Sequence, residues 1–228
     1  MGRSKWSDGT ISVLVCDESA RFRRELIVAL EASPTIEVMA EADDAESVVG
    51  QVQEAAPDVV WLGLRMSGSS GVQLTAAIRE LVPSARVVVV AGHEDAEDRR
   101  RALKAGATGL VAREDAVLLG QEVTERVAWG RCVLSSADLQ GLAATFAGFE
   151  RQTTSLQQAV PPPALDARQH DVLDRLADGA SPDEVAAATG LDVGIVENLV
   201  ADAVTRLQRF GRTEALAYDV GERLFDAG

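Results

Sequence analysis

The sequence predicts an α/β domain on a five-stranded, doubly wound parallel sheet, followed by an all-α helix-turn-helix domain. Three observations predict it. Strand-length apolar runs alternate with helical apolar stripes through residues 10–130. The run ARVVVVAG (85–92) is apolar at consecutive positions and belongs to a strand covered on both faces. Beyond a triple proline, two helical segments with capping signals are joined by a short turn through Gly190. The length of 228 residues also suits two ordinary domains.

In order, ISVLVCD (11–17) is a β-branched strand ending in acid, and the next helix carries Phe22, Leu26, Ile27 and Leu30 at helical spacing. IEVMAEA (36–42) is the second strand, and Ala45 to Ala55 a helix around Val48, Val49 and Val52. PDVVWLGL (57–64) is the third strand, followed by a helix from Val72 to Leu81. The central strand 85–92 leads to a helix from Ala96 to Ala105, a short strand from Gly109 to Arg113 and a closing helix from Asp115 to Trp129. This alternation implies flavodoxin-like strand order, in which ligands and chemistry collect at the carboxyl ends of the strands. Those ends are Asp17-Glu18, Gly63, Ala91 and Arg113.

The order of elements, the acidic pair after the first strand, the PDVV strand with its RMSGSSG exit and the LKAGATGLVARED stretch resemble a response-regulator receiver domain over residues 10–130. By that resemblance, the acidic pair and an Asp ending the third strand would hold Mg²⁺, and that Asp would accept a phosphoryl group. A Ser or Thr ending the fourth strand and a Lys ending the fifth would bind the phosphoryl oxygens. Carried over residue by residue, the acidic pair stands as Asp17 and Glu18, but the acceptor position is Gly63. The hydroxyl position is Ala91, the Lys position is Arg113, and the aromatic switch position is Leu110. Phosphoryl transfer needs an in-line acceptor, and two adjacent carboxylates make a poor octahedral Mg²⁺ site. The expectation is a pseudo-receiver without catalytic residues, resident metal or cofactor, used for dimerisation or ligand sensing. Asp17 and Glu18 are then either held by Arg113 in a structural ion pair, or bind a metal or small molecule in the vacated pocket. The basic run Arg99-Arg100-Arg101 with Lys104 is read as a solvated helix face or a dimer contact.

Residues 131–164 read as a connector: one amphipathic helix (135–149) and a polar, proline-rich linker that no helix continues through. Residues 165–228 read as four helices. Asp166 and Gln169 form a capping-box pattern, as do Ser181 and Glu184 around Pro182. Asp192 caps a third helix to Arg209, and Gly211-Arg212-Thr213 opens a fourth. Leu165, Arg168, Val172, Leu173, Gly179, Glu184, Val185, Ala186, Val196, Val200, Leu207 and Ala215 resemble the skeleton of the LuxR-type domain of NarL/FixJ response regulators. That resemblance implies a DNA-reading third helix with basic and hydroxyl residues near its start. Here those positions hold Ile195, Glu197, Asn198 and Leu199, with Asp202 one turn on.

The net charge is −14, with 12 Lys/Arg against 20 Asp/Glu in residues 11–130 and 6 against 13 in residues 165–228. Between Arg175 and Arg206 there is no cation, while Asp178, Asp183, Glu184, Asp192, Glu197 and Asp202 all fall there. Each phosphate contact wants a cation, so this charge disfavours DNA. Arg168, Arg206, Arg209 and Arg212 remain as candidate backbone contacts, and Glu197 and Asn198 as base readers. Two output readings stand: direct DNA binding as a homodimer, or protein contact with a related regulator or another partner. No apolar run approaches a membrane span or a signal peptide, so the expected place is the cytoplasm. Cys16 and Cys132 are expected as reduced thiols. No nucleophile–base pair is apparent, and His93 and His170 are isolated, which argues against an enzyme.

Overall fold

The computed structural model describes residues 9–92, 95–152 and 164–225, with the backbone alone for 150–152 and 211–225. The chain divides after Val133 into two compact units.

The first unit alternates strands and helices as its periodicity requires: β1 (Ile11–Cys16), α1 (Ala20–Glu31), β2 (Ile36–Ala42), α2 (Ala45–Ala55) and β3 (Val59–Gly63). A two-residue hairpin follows, β4 (Arg65–Met66) and β5 (Ser69–Ser70), then α3 (Gly71–Leu81), β6 (Arg86–Ala91), α4 (Ala96–Ala105), β7 (Ala107–Ala112) and α5 (Arg113–Ala128). The five long strands form one parallel sheet in the order β2-β1-β3-β6-β7. Side chains alternate across it. Val13, Val15, Val59, Trp61, Val88, Val90 and Val111 face Phe22, Leu26 and Leu30 of α1 and Val123 and Val127 of α5 in one buried cluster. Leu14, Leu62, Val87, Val89 and Leu110 alternate with them and are equally buried, as the two-faced apolar run of the central strand demands. Within the α5 side, the indole of Trp61 donates to Thr124 Oγ1 at 2.9 Å, which satisfies its N–H inside the core.

Two local features position the carboxyl end of β3. Gly71 N donates to Leu64 O at 2.7 Å, which folds α3 back against the strand exit. A Cβ at Gly71 would sit 2.5 Å from Gly63 O, so only glycine permits this approach. Ser70 then caps α3 with a complete capping box to Gln73. The fifth strand begins two residues before its expected start, and Arg113 opens α5 instead of ending the strand. Val133 adds a bridge to β7, with Leu110 N donating to Val133 O and Val133 N to Thr108 O.

The second unit contains α6 (Ser136–Gln152), α7 (Ala167–Ala177), α8 (Pro182–Thr189) and α9 (Val193–Phe225). The helix expected as part of the connector packs on α7, where Gln140 Nε2 donates to Ala177 O at 2.8 Å. Its Phe149 ring meets Phe146 and Phe210 edge-on at 6.0 and 4.9 Å. The segment with Pro161–Pro163 lies outside the described residues. Both capping boxes form, Asp166 with Gln169 and Ser181 with Glu184, and Gly190 makes the left-handed turn between α8 and α9. The expected third and fourth helices are one continuous helix. Glycine inside a helix costs only about 1 kcal/mol against alanine, and no proline lies beyond Pro182 to stop α9 at Gly211.

Candidate functional site: a receiver pocket filled from within

The carboxyl ends of β1, β3 and β6 and the start of α5 enclose a cavity of about 250 Å³. Asp17, Glu18, Ser19, Leu64, Arg65, Val90, Ala91, Gly92, Asp95 and Arg113 line it. The sheet thus brings together Asp17, Glu18, Ala91 and Arg113, with Gly63 beside them beneath Asp17.

Asp17 is fully buried and already satisfied. Its Oδ1 accepts from Ser19 N at 2.9 Å, and its Oδ2 accepts from the Arg113 guanidinium. Arg113 in turn lies over the Phe22 ring, 4.3 Å from its centroid, so the cation has a fixed seat on both faces of the pair. From behind, Arg23 donates to the Asp17 carbonyl at 2.7 Å and to Glu41 at 2.9 Å. A Cβ added to Gly63 would overlap the Asp17 carboxylate oxygen and lie 3.2 Å from its Cγ. The carboxylate therefore stands in the space that any side chain at position 63 would need.

The donor set does not fit Mg²⁺. A hard dication asks for several free carboxylate or carbonyl oxygens at near-octahedral angles. Here Asp17 is bound to a guanidinium and a backbone N–H, and position 63 supplies no oxygen from a side chain. Among the described residues, no cluster of three His, Cys, Asp or Glu side chains is arranged to hold a metal. Ala91 offers no hydroxyl to the cavity, and Leu110 is buried in the sheet. Asp58, at the opposite end of β3, accepts from Ser12 N at 3.0 Å and Ser12 Oγ at 2.5 Å and so ties two strand starts together. Burial, with the adjacent Asp17 charge, pushes the Cys16 thiol far up, so it stays protonated and unreactive.

Sequence reasoning missed Arg65 and Asp95, which line the cavity and form an ion pair at 3.7 Å. It also missed Arg23, because a buried arginine on an amphipathic helix looks like one more surface cation. On α4, Arg99 is buried, and Arg100 and Arg101 pair with Glu97 at 2.7 and 3.1 Å. The run is therefore not the uniformly solvated face its charges suggest.

In the helical unit the candidate DNA contacts lie on α7 and α9. Arg168 is exposed in the first turn of α7, Arg209 is exposed on α9, and the side chain of Arg212 lies outside the described residues. Arg206 is engaged within the unit: Nε donates to Asp202 at 2.9 Å and a second nitrogen to Ala164 O at 3.0 Å. Asp202 also accepts from Gln169 Nε2 at 2.7 Å, and Gln169 is almost wholly buried. Ile195 and Asn198 are exposed near the start of α9, and Glu197 is half-buried. His170 Nδ1 lies 3.1 Å from Asp166 O; His93 lies outside the described residues.

The response regulator receiver domain family matches residues 13–118. Over 217 residues the chain is 30% identical to the probable transcriptional regulatory protein NarL of Mycobacterium tuberculosis, spanning 95% of this chain and 96% of that protein. It is 27% identical to the nitrate/nitrite response regulator protein NarL of Escherichia coli over 94% of this chain and 97% of that one. The signal receiver domain of the M. tuberculosis NarL superposes with a TM-score of 0.51 at 30% identity, covering 54% of this chain and 98% of that domain. A two-component response regulator of the LuxR family from Aurantimonas sp. SI85-9A1 gives a TM-score of 0.55 at 26% identity, over 60% of this chain and 97% of that one. The parallel-sheet unit, the capped helical unit and full-length similarity agree: the chain belongs to the NarL family of response-regulator transcriptional regulators.

Proposed function

We propose that this regulator acts in transcription without aspartyl phosphorylation, its receiver held in one state and used for dimerisation or ligand sensing. One observation carries the reading: the Asp17 carboxylate, bonded to Arg113, occupies the space of a side chain at residue 63. An in-line phosphoryl transfer has no acceptor there, and the cation that would neutralise developing charge is already spent on Asp17. The cavity of about 250 Å³ supports a ligand-sensing use, since its floor of Leu64, Val90 and Ala91 is apolar while its walls are charged. The test is incubation with acetyl phosphate and Mg²⁺ followed by intact-mass measurement. The mass is expected unchanged; a gain of about 80 Da, one phosphoryl group, refutes the proposal.

A second reading concerns the output. The stretch between Arg175 and Arg206 holds six acids and no cation, and Arg206 is engaged within its own unit. This favours action through protein contact, with a related regulator or another partner, over direct DNA recognition by a homodimer. Fluorescence anisotropy against a pool of genomic fragments at low salt separates the two. Binding at micromolar protein with a steep salt dependence supports DNA recognition, and no binding supports protein contact.

A further inference from the structure

We propose that the cavity at the carboxyl ends of β1, β3 and β6 binds a small aliphatic α-amino acid. Its carboxylate is taken by Arg113, its ammonium by Glu18, and its side chain by the floor of Leu64, Val90 and Ala91. The inference deepens the ligand-sensing reading of the receiver and rests on it. Size narrows the ligand first. The cavity holds about 250 Å³, below the roughly 300–1,000 Å³ of sites for drug-sized molecules, so it suits one with few heavy atoms. Its floor is aliphatic: Leu64, Val90 and Ala91 are buried and carry no side-chain donor or acceptor. A short hydrocarbon gains there by leaving water, whereas a polar substituent loses its hydration and finds no side-chain partner on the floor.

The walls set the charge pattern. Among the described residues that line the cavity, Asp17, Glu18 and Asp95 stand against Arg65 and Arg113. Asp17 is paired with Arg113 and Asp95 with Arg65, which leaves Glu18 as the surplus charge. Glu18 is exposed, and among the described residues it makes no hydrogen bond or ion pair. A ligand that satisfies it brings a cation, and an ammonium is a compact one with three donors. Arg113 supplies the opposite pole. A guanidinium has five N–H donors, and among the described residues only its Nη2 is engaged, by Asp17 Oδ2. Its Nε and Nη1 keep their donors, the side chain is 43% exposed, and the Phe22 ring seats the group from one face. Ser19 adds a hydroxyl proton, since its oxygen accepts from Phe22 N at 3.3 Å and donates to no described group. Glu18 follows directly on the residue that holds Arg113, so acceptor and donors enter the cavity from adjacent positions. An α-amino acid carries its ammonium and carboxylate on one carbon and matches that arrangement. A phosphate dianion meets the Glu18 charge with both guanidinium charges already balanced, and is disfavoured.

The test is calorimetric titration of the full-length protein with four probes, each carried to millimolar concentration. They are valine, isobutylamine (valine without its carboxylate), isovalerate (valine without its amine) and inorganic phosphate. Valine is expected to bind saturably, the amine and the acid at least ten-fold more weakly, and phosphate not at all. Glu18→Gln, checked for fold by circular dichroism, is expected to weaken valine ten-fold or more and to leave isovalerate unweakened, because the variant removes only the ammonium's partner. Binding of the amine, the acid or phosphate as tight as that of valine overturns the amino-acid chemistry and leaves ligand sensing standing. An unaffected Glu18→Gln variant does the same. The four probes span zwitterion, cation, monoanion and dianion, so no binding by any of them overturns the ligand-sensing reading as well.

Discussion

Gly63→Ala is the smallest substitution that tests how the receiver pocket is filled, because two physical expectations give it opposite signs. Gly63 ends β3 with no positive φ, and alanine at such a position ordinarily stabilises by about 0.4–1 kcal/mol through the unfolded chain. Here the added Cβ overlaps the Asp17 carboxylate, so Asp17 must leave its place and lose both Ser19 N and Arg113. Losing one partner of a buried ion pair costs about 3–5 kcal/mol. The Arg113 side chain is 43% exposed and rehydrates, which reduces that figure to about 1–2 kcal/mol. The abandoned Ser19 N–H adds about 1 kcal/mol. After the alanine gain is subtracted, the net loss is about 2 kcal/mol, a fall in Tm of roughly 6–10 °C for a unit of this size. Thermal denaturation followed by tryptophan fluorescence reads it. In an Asp17→Ala background the same substitution is expected to cost far less, since the obstructing carboxylate is gone. A Gly63→Ala protein that melts at or above the parent refutes the argument.

Thr124→Val leaves the Trp61 indole N–H buried without its acceptor, and is expected to cost about 1–3 kcal/mol with a shift in Trp emission measurable on the native protein. Asp202→Ala removes the acceptor of the buried Gln169 Nε2 and leaves Arg206 bonded to the Ala164 carbonyl; urea unfolding of the helical unit should show a loss of about 1–3 kcal/mol. Burial raises the Cys132 thiol from about 9.0 to about 11. Its contribution to stability is complete below pH 9 and is lost as the pH climbs toward 11, because the unfolded thiol ionises first. Melting temperatures measured from pH 8 to 11 should fall less steeply for Cys132→Ala than for the parent.

The alternation of strands and helices and the capping boxes were legible from the residues because each is written in local pattern. A two-faced apolar strand and a Ser three residues before a Glu need no partner to be recognised. Where α9 ends was not legible, since a single glycine costs a helix too little to decide the matter against packing. Nor was the state of the pocket. Asp17 and Arg113 are 96 residues apart in sequence, and only the parallel sheet brings their side chains into contact. Arg206 and Asp202 read as a possible grip on DNA and a repulsive acid. Folding spends both on Gln169 and the Ala164 carbonyl. The sequence alone determined that residue 63 is a glycine, with no side-chain oxygen. The tertiary structure decided that the space is filled by a neighbouring carboxylate, because a buried charge must find its counter-charge wherever the fold places one.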